Sequence, residues 1–204
     1  MAQSPAHLKA PSLPSLIFQQ GILDCPSCKY DVENSPSVCP RCQCHLGQLD
    51  AFLHTTDTPL QSIMDSAGLV KDSDDLIRRA IEFNERKFPQ IHLIFCTAIC
   101  PEGVKASTIA WWMLNRSTPS ANATWSGILL IDPSSNQVTF QAGYDLEVFV
   151  NRQRLDSLLI KCGEWFSIGE WAQGTTEFFK DLYKMLKMTH REALKTKRNI
   201  MKQK

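Results

Sequence analysis

The stretch "ILLIDPSSNQVTFQAGYDLE", Ile128 to Glu147, reads as two strands folded about a tight turn. Its first half is a continuous apolar run. Its second half alternates, with Val138, Phe140 and Ala142 on one face and Thr139 and Gln141 on the other, the period of a half-covered strand. Asp132-Pro133 starts the turn between them, because Asp bonds its own backbone and Pro fixes φ. A hairpin of this kind needs covering layers, and the flanking sequence supplies them.

Before it, Leu76, Ile77, Ala80, Ile81, Asn84 and Phe88 repeat at helical spacing, with Asp72 or Ser73 as cap and Asp74 and Asp75 at the positive end of the dipole. Pro89 stops that helix, and "QIHLIFCTAI" follows as a buried strand. "VKASTIAWWMLNRS" predicts a second helix with Ile109, Trp112 and Met113 inward. "NRQRLDSLLIKCGEWF" and "EWAQGTTEFFKDLYKMLK" predict two closing helices. Helix, strand, helix, two strands and two helices make an α/β sandwich. A chain of 204 residues holds such a domain plus a smaller module.

The smaller module is written in cysteine. Of eight cysteines, five fall in "CPSCKYDVENSPSVCPRCQC", as Cys25-x2-Cys28, ten residues, then Cys39-x2-Cys42. Each Cys-Pro-x-Cys pair forms a knuckle that points two thiolates at one ion, and two knuckles supply the four sulfurs of a tetrahedral zinc site. Free thiols and two disulfides are the alternatives, the second disfavoured in a reducing compartment. Cys44 and His45 are spare ligands that could substitute for Cys42, but the symmetry of the two pairs favours Cys42. A ribbon at 24–49 has almost no core of its own, so its metal folds it; four thiolates leave no open position for catalysis. Between Asp24 and Leu49 only Lys29 and Arg41 are fixed cations, too few to grip phosphate.

Charge divides the chain as sharply. Lys184 to Lys204 holds eight Lys or Arg and one acid, Glu192, leaving 14 basic and 20 acidic residues in 1–183. The N-terminus, 1–23, lacks a basic start followed by an apolar run and is expected to be disordered. The longest apolar run, Ile91 to Ile99, is too short to cross a bilayer. The expectation is a cytoplasmic protein, in which the sequons at Asn115 and Asn122 are chance matches. A polar linker covers 50–59, the α/β domain 60–188 and a basic tail 189–204. Without a Pro or Gly stop, the last helix is free to run on past Lys187, with Arg191, Lys195 and Arg198 on one face.

From about Ser62 to Lys187 the chain resembles the TPM domain family, whose members include a plant thylakoid acid phosphatase, a photosystem II repair factor and many bacterial proteins. "IMDSAGLV" is similar to the family's Asp-x-Ala-Gly-Leu opening, through Asp65, Ala67, Gly68 and Leu69. "GILLID" and "GYDLE" resemble its central strand and its Gly-Tyr-Gly-Leu-Glu corner. Phe166, Trp171 and Gly174 sit where it carries a short aromatic-and-glycine motif. The resemblance implies a mixed sheet of about four strands between helix layers. Departures are equally specific. Trp125 and Ser126 stand where members often carry Asp-Asn, Ser135 and Asn136 where they carry Asp-Arg, and Asp145 replaces the corner's second glycine.

Two readings of the remaining acids follow. Asp132, Asp145 and Glu147 would converge with Asp65 on a calcium or magnesium ion in a cleft at the strand ends. Alternatively Asp132 only turns the chain, and Asp145 and Glu147 only suit the start of a helix. The second is favoured. No Cys is followed six residues later by Arg, and no Gly-rich loop with Lys occurs. Cys96, Cys100 and Cys162 fall on apolar elements as core residues, and His92 as a satisfied core histidine. Adjacent Trp111 and Trp112 are not both expected to point inward, and an exposed one would mark a partner surface. The functional expectation is a non-catalytic assembly or maintenance factor with a protein partner. The alternatives are a calcium- or magnesium-dependent acid phosphatase, and a nucleic-acid or anionic-membrane binder acting through residues 184–204.

Overall fold

β1 (Ile63–Asp65), β2 (His92–Thr97), β3 (Ser126–Asp132) and β4 (Gln137–Ala142) form one sheet in that order in the computed structural model of the chain. The structure describes Cys28, Tyr30 and residues 39–43, 60–100, 104–116 and 123–202. The chain divides into two units, Met1–His54 and Thr55–Lys204. The 1–23 segment, the 50–59 linker, Cys25, Cys44, His45 and the Asn122 sequon lie outside the described residues.

In the larger unit β1, β2 and β3 are parallel and β4 returns antiparallel to β3. α1 (Asp74–Lys87) and α2 (Ala106–Arg116) carry the chain between parallel neighbours. α3 (Tyr144–Glu147), a single turn, and α4 (Arg152–Ser167) then lead into α5 (Trp171–Lys202). The mixed four-stranded sheet between helices therefore stands as expected, with β1 added to the elements read from periodicity. Three residues are too few to show a period. The last helix does run on past Lys187, to Lys202.

The pleat sorts the apolar side chains into two layers. Leu93, Phe95, Leu129 and Ile131 meet Ile77, Ile81, Phe178, Phe179 and Leu182 of the α1 and α5 helices. Ile94, Ile128 and Leu130 point the other way, toward α2, which packs on β3 and β4. Both faces of β3 are thus covered, which is why it reads as an unbroken apolar run. Val138, Phe140 and Ala142 share the first layer, as the alternation requires. Gly127 lies beneath Phe140: a Cβ there would fall 2.5 Å from the ring's Cζ and 3.1 Å from Leu146 Cδ2. No larger residue fits without moving the ring.

Asn84 ties the layer together, its buried amide donating to the carbonyls of Ala80 and Phe179 at 2.9 and 3.1 Å. Two sequence expectations fail locally. Leu76 is 45% exposed, because α1 turns Ile77, Ala80, Ile81 and Asn84 inward and Leu76 lies outside that arc. Trp111 and Trp112 are both buried, at 8% and 3% exposure, as are Ile109, Ala110, Met113 and Leu114. A helix apolar on every side is a buried helix, so one-face logic does not apply to it.

Candidate metal centre and the acids of the sheet

Cys28, Cys39 and Cys42 bring their sulfurs within 4.8 Å of one another. The Cys28 and Cys39 sulfurs are 3.7 Å apart. That is far longer than a disulfide bond of about 2.05 Å. It matches the edge of a tetrahedron, since metal–sulfur bonds of about 2.3 Å place sulfurs about 3.8 Å apart. The second knuckle is built by its turn: Gln43 N–H donates to the Cys39 carbonyl at 2.9 Å, and Gln43 takes φ 56°. Pro40 favours that turn by fixing its own φ. Cys39 is fully buried, Cys28 half-buried and Cys42 exposed. The Arg41 guanidinium lies 5.9 Å from the centre of the Tyr30 ring. Three soft sulfurs at this spacing could hold a metal ion, and among the described residues no other three His, Cys, Asp or Glu side chains come as close.

The acids of the larger unit are dispersed. Asp65 ends β1 beside Thr97 of β2. Its Oδ1 accepts from the Thr97 hydroxyl at 2.6 Å and Leu69 N–H at 2.9 Å, and its Oδ2 accepts from Val70 N–H at 2.9 Å. The loop so closed needs a left-handed residue, supplied by Gly68 at φ 69°. Burial alone would raise the Asp65 carboxyl, but these hydrogen bonds outweigh it and hold it below the ordinary carboxylate range. The Asp-x-Ala-Gly-Leu motif is a loop clamp in physical terms.

Asp132 ends β3 and is 1% exposed. Its Oδ1 accepts from the backbone and hydroxyl of Ser134 at 3.0 and 2.6 Å, and its Oδ2 from the Ser135 hydroxyl at 2.6 Å. Burial again pushes the carboxyl up and the serines, with the Cys100 thiol, bring it below its usual value. Desolvation, then the charge of Asp132, pushes Cys100 itself up to about 12. Cys96 and Cys162 are likewise raised to about 12, chiefly by burial, which disfavours their thiolate forms. Asn136, at φ 53°, completes the four-residue turn to β4.

The four acids do not share one cleft. Asp65 and Thr97 lie on the α1–α5 side of the sheet, whereas Asp132 alternates to the α2 side. Asp145 and Glu147 are exposed on α3, which follows the far end of the hairpin, where Gly143 N–H donates to the Ser126 carbonyl at 2.8 Å. The length of β3 separates that edge from Asp132, about 3.3 Å for each residue. His92 begins β2 half-buried, its Nδ1 3.0 Å from Glu85 Oε1. That hydrogen bond raises its pKa against the opposing effect of burial. Phe88, Ile91, Trp125, Phe149 and His190 line an open groove enclosing only about 20 Å³, far below the roughly 300–1,000 Å³ of small-molecule sites.

Sequence reasoning singles out neither Thr97 nor Ser134, and it reads Cys100 only as a core residue and Ser135 only as a departure from the family's turn. The Asp-Pro-Ser-Ser run carries the signal for the serines, since Asp and Ser both satisfy turn backbones. Thr97 carries none, because its partner is 32 residues away.

No helix among the described residues is long and apolar enough to cross a membrane. No family model matches the chain, and no curated protein matches it. It is similar to the solution NMR structure of the N-terminal domain of the cg2496 protein from Corynebacterium glutamicum, at 19% identity and TM-score 0.48, covering 61% of this chain and 78% of that one. It is also similar to the NMR structure of the N-terminal domain of a protein from P. gingivalis, at 15% identity and TM-score 0.50, covering 68% of this chain and 87% of that one. At such identities the second likeness speaks to the α/β fold alone.

Proposed function

We propose that this chain is a non-catalytic assembly or maintenance factor, a zinc ribbon joined to an α/β domain of TPM type. The commitment of the Asp65 and Asp132 carboxylates to their own loops carries this reading. Each has its oxygens filled by donors two to five residues on or by Thr97. Such oxygens are not presented to calcium or magnesium, and burial disfavours the thiolate forms of Cys96, Cys100 and Cys162. Cys25, Cys28, Cys39 and Cys42 would hold zinc, which supplies folding free energy to the ribbon and no open coordination position. A thiolate-held metal suits a reducing cytoplasm, and the partner would be another protein.

Turnover of p-nitrophenyl phosphate tests the non-catalytic part. With calcium or magnesium added, the rate should equal that without protein. An ion-dependent rate that disappears in Asp132→Asn would make the α/β domain a phosphatase.

A further inference from the structure

We propose that the distal part of α5 is a docking rail for the phosphate backbone of a nucleic-acid duplex. Met185 and Leu186 are the last buried side chains among those described on this helix, yet it continues to Lys202. At 1.5 Å per residue the remainder is about 24 Å of helix beyond the buried core. Lys180, Lys184, Lys187, Arg191, Lys195 and Arg198 follow one another at spacings of four, three, four, four and three. At 100° per residue these six cations fall within a sector of roughly 80°, forming one stripe about 27 Å long.

The stripe changes character along its length. Near the core Lys180 is paired with Glu177 at 2.8 Å, Lys184 with Asp181 at 2.6 Å, and the Lys187 ammonium lies 5.5 Å from the centre of the Tyr183 ring. Farther out Arg191, Lys195 and Arg198 are exposed, and among the described residues no carboxylate is within ion-pair distance of any of them. These three aligned cations have no counter-charge among the described residues. A row of phosphates supplies it, and a single helix fits the major groove of a duplex. An anionic bilayer fits less well. Met188 and Leu194, both exposed, flank the stripe on opposite sides rather than forming the apolar face an interfacial helix buries. The excess of acids in residues 1–183 repels phosphate, so contact concentrates on this rod.

The test compares the full chain with Arg191→Gln/Lys195→Gln/Arg198→Gln and with Lys161→Gln as a control. Each is titrated against a fluorescent 20-base-pair duplex and against vesicles rich in phosphatidylserine. Three phosphate contacts predict that duplex affinity falls about 40-fold between 50 and 200 mM salt. The triple variant should lose that salt dependence and most of its low-salt affinity, with the thermal midpoint unchanged, and the Lys161 variant should match the parent. No duplex binding, equal binding by the triple variant, or capture by vesicles in preference to duplex would each overturn the proposal.

Discussion

The two units of this chain solve the problem of stability by opposite means. Residues 55–204 bury a contiguous apolar layer, from Val70 through Phe179 to Leu186, between a sheet and its helices. The described residues of the smaller unit instead bring the sulfurs of Cys28, Cys39 and Cys42 to a spacing that could hold an ion. Apolar burial is distributed, so the larger unit loses stability side chain by side chain. Metal coordination is concentrated, so a smaller unit organised by the proposed ion would gain or lose its fold in one chemical step. The difference teaches where each unit is vulnerable, and it predicts that damage to one leaves the other standing.

The largest effect on the α/β unit should come from its centre. Phe179 is fully buried, 5.6 Å from the Phe178 ring centre and edge-on to it. Phe179→Ala removes the ring from between α1 and the sheet and should cost about 3–5 kcal/mol. Denaturant unfolding would show the loss, while metal content per chain stays unchanged. A parallel loss of metal would break the separation of the two units.

A smaller effect should come from the loop clamps. Asp132→Asn keeps an acceptor but turns a donor amide toward hydroxyls that now donate to the carboxylate. It should cost about 1–3 kcal/mol at neutral pH. The pH dependence has a fixed sign. Asp65 and Asp132 are both held below their ordinary value in the folded state. Their contribution is therefore complete above an unfolded carboxylate pKa of about 3.9 and is lost as pH falls through their folded values. Stability followed from pH 5 to pH 2 should fall, and fall less steeply in Asp132→Asn. Identical acid limbs in the two proteins would mean that the carboxylate does not clamp the turn.

Much of this was legible in the sequence, for identifiable reasons. The alternation of Val138, Phe140 and Ala142 states which face of β4 is covered, and the unbroken Ile128–Ile131 run reflects a strand covered twice. The spacing of Cys28, Cys39 and Cys42 signals that their sulfurs come close together, as they do. What the sequence hides is direction and distance. Asp65, Asp132, Asp145 and Glu147 look like one group because they share a charge and a motif. The pleat sends Asp65 and Asp132 to opposite faces, and the hairpin carries Asp145 and Glu147 to the other edge of the sheet. Trp111 and Trp112 misled for a similar reason: helical period identifies one buried face, and α2 is buried all round. β1 escaped because a three-residue strand is made by its neighbour β2 rather than by its own pattern.

An ion held by cysteine would organise the smaller unit, and the larger unit would fold without it. Elemental analysis and thermal unfolding of the full chain and of Cys28→Ser/Cys39→Ser measure both parts at once. The account predicts about one zinc per chain in the parent, none in the variant, and an unchanged cooperative transition from residues 55–204 in both. Zinc retained by the variant, or loss of that transition along with the metal, would contradict it.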